Sequence, residues 1–147
     1  MKGFLASKKL MQLAIGAVFV PMVLGTSCPF FPGSTTLLSV QLSAQPVAGG
    51  FVDTCATATG VVQTSFQADA SKPVTVRVTG PTSNSRPEIV VGDQQNNTVL
   101  NTGTTPSAQT NQGTFTPTAT NVFNLFVVEC GANITGNYTI VVTQAAF

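Results

Sequence analysis

Histidine and tryptophan are absent from this 147-residue chain, tyrosine occurs once, and only 7% of the residues are charged. Each gap removes a class of chemistry. Without histidine there is no Ser-His-Asp or Cys-His nucleophilic site, and zinc loses its commonest nitrogen ligand. A Ser-Lys dyad would need Lys72, which stands before Pro73 and reads as a solvated turn residue. Beyond residue 27 there are three basic residues (Lys72, Arg77, Arg86) and five acidic ones (Asp53, Asp69, Glu88, Asp93, Glu129), a net charge of −2. Three cations form no basic stripe, which excludes a nucleic-acid-binding surface. The five acids are scattered over separate segments, so any close pair of them is expected by chance rather than as a glycosidase constellation. Glu129 follows an apolar run, where a buried carboxyl would be hard to ionise; the expectation is that it marks the point where a strand meets water. The single Tyr138 falls in a core-like alternation, so no aromatic sugar platform is foreseen.

What the chain does contain begins with a leader. Lys2, Lys8 and Lys9 precede an apolar stretch, Leu10 to Leu24, and the small residues Gly25, Thr26 and Ser27 lead to Cys28. Basic, apolar and small segments in that order make residues 1–27 a secretory signal peptide, helical in its apolar part. The apolar run falls short of the roughly 20 residues of a membrane span. Cys28 is the lipidation candidate, since a cysteine after a small-residue triplet resembles a bacterial lipoprotein site. Gly25 stands where that pattern has an aliphatic residue, so ordinary cleavage after Gly25 or Ser27 stays open beside it.

Export bears on the cysteines. Three are present, and disulfides persist outside the cytoplasm. With Cys28 lipidated or in a tail, Cys55 and Cys130 are left as the natural pair. Their bridge would close a loop worth roughly 4 kcal/mol of chain entropy.

After residue 27 the period of the sequence is two. Threonine, a β-branched residue suited to a pleated surface, occurs 22 times in the whole chain, all but Thr26 beyond the leader. Residues 28–35, with two prolines and a glycine, read as a linker, and residues 36–147 as one domain. Leu38, Val40 and Leu42 alternate with polar residues, as do Val62 to Ala68 and, most cleanly, Val74, Val76 and Val78. Gly49 and Gly50 punctuate before a further segment, Phe51 to Cys55. Residues 88–91 and 98–100 flank Gly92-Asp93-Gln94-Gln95-Asn96-Asn97 as a hairpin. Asp93 is the calcium candidate there, since the tip's oxygens supply part of the roughly six to eight that the ion takes; a plain turn is the simpler expectation. Residues 101–112 read as a polar mobile loop and 114–116 as a short strand. Asn121 to Glu129 is apolar on both faces, as in a central strand, and Tyr138 to Thr143 is the last strand. About eight strands and no helical period predict an all-β fold, a single antiparallel β-sandwich of jelly-roll or Greek-key type.

Three stretches carry a family resemblance: Phe66 to Val78 (FQADASKPVTVRV), Glu88 to Leu100 (EIVVGDQQNNTVL) and Val122 to Val142, which ends in GNYTIVV. Through them residues 60–143 resemble the bacterial pre-peptidase C-terminal domain, a jelly-roll-like sandwich often appended to secreted enzymes. The acids that often bind calcium in that family are sparse here, and no catalytic domain is attached. The resemblance implies a non-catalytic accessory or binding module.

The function expected is therefore that of an exported, non-enzymatic sandwich without a cofactor, secreted or lipid-anchored at the bacterial cell envelope. Its partner would be a surface protein or a polysaccharide, and its only membrane contact the leader or a lipid on Cys28. The alternative is an adhesin or filament subunit, a homo-oligomer in which the Leu38–Leu42 segment pairs with a neighbouring chain.

Overall fold

A computed structural model describes residues 33–46, 55, 58–103, 106–131 and 135–146. The leader, Cys28, most of the linker and the segment from Phe51 to Thr54 lie outside them. Among the described residues there is no helix, and nine strands form two antiparallel sheets. They are β1 (Ser34–Ser43), β2 (Gln45–Pro46), β3 (Gly60–Ala68), β4 (Val74–Thr79), β5 (Pro87–Gly92), β6 (Thr98–Asn101), β7 (Thr110–Phe115), β8 (Asn121–Glu129) and β9 (Asn137–Ala145). One sheet has the order β1-β9-β4-β7 and the other β2-β3-β8-β5-β6. The pairs β1·β9, β3·β8, β4·β7 and β5·β6 are nested one inside another along the chain. Such nesting is a rolled-up two-stranded ribbon, the jelly roll anticipated from the sequence.

Alternation decides which residues enter the space between the sheets. From the four-stranded sheet come Val74, Val76, Val78, Tyr138, Ile140 and Val142, and from the five-stranded sheet Val62, Phe66, Ile89, Val91, Leu125 and Val127, all buried. Leu38, Val40 and Leu42 of β1 pack against them at the edge. At one end Phe66, Phe115 and Phe123 make a three-ring cluster spanning both sheets, with centroids 5.2–6.4 Å apart. β8 lies between β3 and β5, and its double-sided apolar character follows from that central place.

Two expectations change. The polar run 101–112 is not wholly loop, because β7 starts at Thr110 and pairs with β4 from Thr79 back to Val74. β7 is an edge strand, so it needs no apolar alternation to hold its place. β1 opens at Ser34, inside the segment read as linker, and pairs with β9 out to Ala145.

Candidate functional site

The chemistry-bearing side chains gather at the end of the sandwich opposite the phenylalanine cluster, where β8 finishes and the chain from Cys55 enters β3. Cys55 and Cys130 form the expected disulfide, with Cα atoms 5.7 Å apart. On β5, Glu88 pairs with Val128 in register and points to the outer face of its sheet, away from the core. Both are nevertheless fully buried. The chain at Cys55, fastened to Cys130, covers them, and its N–H donates to Glu88 Oε2 at 3.2 Å. Cys130 Sγ lies 3.8 Å from the same oxygen; a disulfide sulfur has no proton to give, so this is a contact and not a donated bond. Oε1 is buried without a hydrogen-bond partner. Burial pushes the Glu88 carboxyl above its ordinary pKa, opposed by the Cys55 N–H and by the Asn101 side chain.

Glu129, one residue before Cys130, points the other way, into the sandwich. The structure corrects the expectation that it meets water, for its exposure is 1%. Its Oε1 accepts the backbone N–H groups of Arg86 and Gly131, each at 2.6 Å. Its Oε2 accepts the hydroxyl of Tyr138, which reaches across from the opposite sheet. Three donors replace the water that this carboxylate gives up. Burial, and then the bond to Glu129, push the Tyr138 hydroxyl well above the ordinary phenol range. Glu129 thus fastens the loop before β5 and the exit of β8 to β9. The loop is further shaped by Ser85, whose Oγ accepts the Thr82 N–H at 3.2 Å, while Arg86 donates to the carbonyls of Ser83 and Ser85.

At the far hairpin, the Asp93 carboxylate accepts the N–H groups of Gln95 and Asn97 and the Asn97 side-chain amide, all within 2.9 Å. These bonds, the Asn97 side chain first, hold its carboxyl below the usual range. Lys72 pairs with Asp69 at 3.3 Å across an exposed turn. Glu88 is the buried group that sequence reasoning passed over. It was counted only as one of five scattered acids, since nothing in an alternating strand says that its outward face will be covered.

The outer face of the four-stranded sheet is of another kind. Register places Gln41, Thr139, Thr79 and Thr110 in one row across the four strands, and Thr36, Thr143, Thr75 and Thr114 in another. Between them runs Ser39, Val141, Arg77 and Gln112. The hydroxyls of Thr75 and Thr114 stand 3.1 Å apart and those of Thr79 and Thr110 3.0 Å apart. Among the described residues no carboxylate lies on this face. It is a neutral lattice of hydroxyls and amides, repeating at about 4.8 Å across the strands and about 7 Å along them, with the exposed guanidinium of Arg77 near its centre.

No protein-family profile matches the chain, the pre-peptidase C-terminal one included, and no curated protein matches it. Among solved structures, one titled "CBM4 structure and function" aligns at 17% identity and a TM-score of 0.38, over 75% of this chain and 89% of that one. An Arthrobacter globiformis T6 isomalto-dextranase complexed with panose aligns at 15% identity and 0.37, over 79% of this chain and 24% of that one. A structure of infectious bursal disease virus, Gx strain, aligns at 14% and 0.35, over 90% of this chain and 38% of that one. Likeness at this distance carries nothing about ligand or activity.

Proposed function

We propose that this chain is a non-catalytic binding module of the bacterial cell envelope, an accessory sandwich of the pre-peptidase C-terminal kind. Its ligand is a neutral, hydroxyl-rich polysaccharide, held on the outer face of the four-stranded sheet. The observation that carries this reading is the lattice of threonine, serine and glutamine across β1, β9, β4 and β7, free of acids and built on strands rather than loops. Cross-strand pairing fixes the hydroxyls of Thr75 and Thr79 while leaving each with spare donor or acceptor capacity. Such groups exchange water for sugar hydroxyls at little ordering cost. Arg77 adds a planar donor at the centre.

Support for a non-catalytic role comes from the sealed acids. Glu129 is occupied by three internal donors, and Glu88 lies beneath the Cys55 segment. Export is supported by the Cys55–Cys130 disulfide, which suits an oxidising compartment. The strand-pairing alternative has β1 as its vehicle, an edge strand with one neighbour. Exchange between copies would require β1 to leave its long register with β9.

Affinity electrophoresis through gels containing neutral polysaccharides, followed by calorimetry on the one that retards the protein, tests the reading. Arg77→Glu and Thr139→Glu are expected to weaken binding at least tenfold each, about 1.4 kcal/mol, with the fold intact. Retention by no polysaccharide, or unchanged affinity in both variants, sinks the proposal. Size-exclusion chromatography at high concentration checks the alternative, which predicts concentration-dependent oligomers.

A further inference from the structure

We propose that Cys55, Cys130 and Glu88 become a site for one soft divalent cation, zinc or cadmium, when the disulfide is reduced. The two sulfurs and a Glu88 oxygen lie within 4.8 Å of one another. Glu88 is fully buried, and its Oε1 has no hydrogen-bond partner. A buried carboxylate oxygen without a donor calls for a proton or a cation. The nearby cation of the loop is directed elsewhere, since Arg86 gives its guanidinium to the Ser83 and Ser85 carbonyls.

The backbone geometry suits metal as well as disulfide. Two thiolates at roughly 2.3 Å from a tetrahedral zinc stand about 3.8 Å from each other, a separation that side-chain rotation allows for Cα atoms 5.7 Å apart. Glu88 would supply the third ligand, and solvent or a further ligand the fourth. The redox step balances with a dithiol as reductant. Two electrons and two protons pass to the Cys55 and Cys130 sulfurs, the S–S bond breaks, and the dithiol closes to its own disulfide. The cation then displaces both thiol protons into solvent. One dication among three anionic ligands also leaves a single net negative charge where two thiolates beside a carboxylate would otherwise carry three. A small-molecule disulfide reverses the step: it takes two electrons from the thiolates and leaves as two thiolates, while the Cys55–Cys130 bond re-forms and the ion is expelled, so the site is gated by redox state.

The test uses the full-length chain, and in parallel its Cys28→Ser variant, which removes the third thiol. Each is reduced with a phosphine, freed of reductant without oxygen and titrated with Cd2+. One equivalent is expected to bind the reduced protein, with the ultraviolet thiolate-to-cadmium band, and none the oxidised protein. Cd2+ should raise the melting temperature of the reduced protein, because the folded site holds the ion; capture by unfolded thiols would lower it. Loss of a group outside the coordination shell already costs about 10- to 100-fold in metal affinity. Glu88→Gln, close in shape, should therefore weaken Cd2+ by at least about tenfold with its circular dichroism unchanged. Absence of the band, equal binding to oxidised protein, a lowered or unmoved melting temperature, or full affinity in Glu88→Gln each overturns the proposal.

Discussion

Two glutamates separated along the chain but neighbours in the sheet meet opposite fates, and the difference lies in who donates to them. Glu129 has three donors, two of them backbone N–H groups. Glu129→Ala strands all three inside the protein, and is expected to cost about 3 kcal/mol or more by urea denaturation. Tyr138→Phe removes one charge-assisted bond and should cost about 1.5–3 kcal/mol. Glu88 has the Cys55 N–H and the Asn101 side chain to set against its burial, with Oε1 left without a hydrogen bond, and burial prevails and raises its pKa. A folded pKa above the unfolded value means that stability from this residue is complete below about 4.5, the unfolded value. It is lost as pH rises through the folded pKa. The wild-type protein should thus lose stability relative to Glu88→Gln as pH climbs from below 4.5 through the raised folded pKa, seen as diverging melting temperatures. A constant gap between the two would contradict this. Neither fate could be read from the sequence, because Arg86, Tyr138 and Cys55, which donate to the two carboxyls, come from other segments that only the fold brings to them. The disulfide was legible, since cysteine counting and compartment leave few pairings.

Strands whose side chains alternate between core and solvent announce themselves, and β1, β3, β4 and β9 were visible for that reason. β8 was even placed at the centre, since apolar residues on both faces need cover on both. Only the end of β7 was visible, as the short strand at residues 114–116; its start lay hidden in a polar run, because its outward threonines pair with those of β4 and carry no apolar alternation. Connections hold tighter constraints than their composition suggests. At Gly80, which closes β4, a Cβ would stand 2.2 Å from Ser85 Cβ and 2.6 Å from its Oγ. Ser85 is wholly buried and has nowhere to retreat. Gly80→Ala is expected to cost about 1–3 kcal/mol by overpacking, a large effect for one methyl group in a polar loop. Chemical denaturation measures it, and Gly103→Ala is the control for space, with nothing within 4 Å, although its positive φ carries its own strain.

For the whole molecule, nested pairing makes almost every important contact a distant one, β1 with β9 above all. Such topologies fold slowly, in roughly milliseconds to seconds. The disulfide joins residues 75 apart in sequence, and its loss through Cys55→Ser with Cys130→Ser should cost roughly 4 kcal/mol in the chain-entropy description. Stopped-flow refolding of the two forms, both in the Cys28→Ser background, compares the effect on rate and on equilibrium. The rolled-ribbon arrangement itself was foreseen only as a class. Alternation tells which face of a strand is buried, but it does not tell which strand lies beside which.

The register of β1 with β9 also fixes how the module would be hung. Ser34 lies opposite Ala145, and the Ala146 N–H donates to the Gly33 carbonyl. Entry and exit are therefore side by side, at the end that holds the phenylalanine cluster. The disulfide, Glu88 and Glu129 lie at the other end, a full strand length away. Under the proposed envelope role, a tether joined ahead of Gly33 would suspend the sandwich from a single point, like a bell from its loop. The threonine lattice would then stand upright along the flank, and the bridged tip would reach furthest from the anchor.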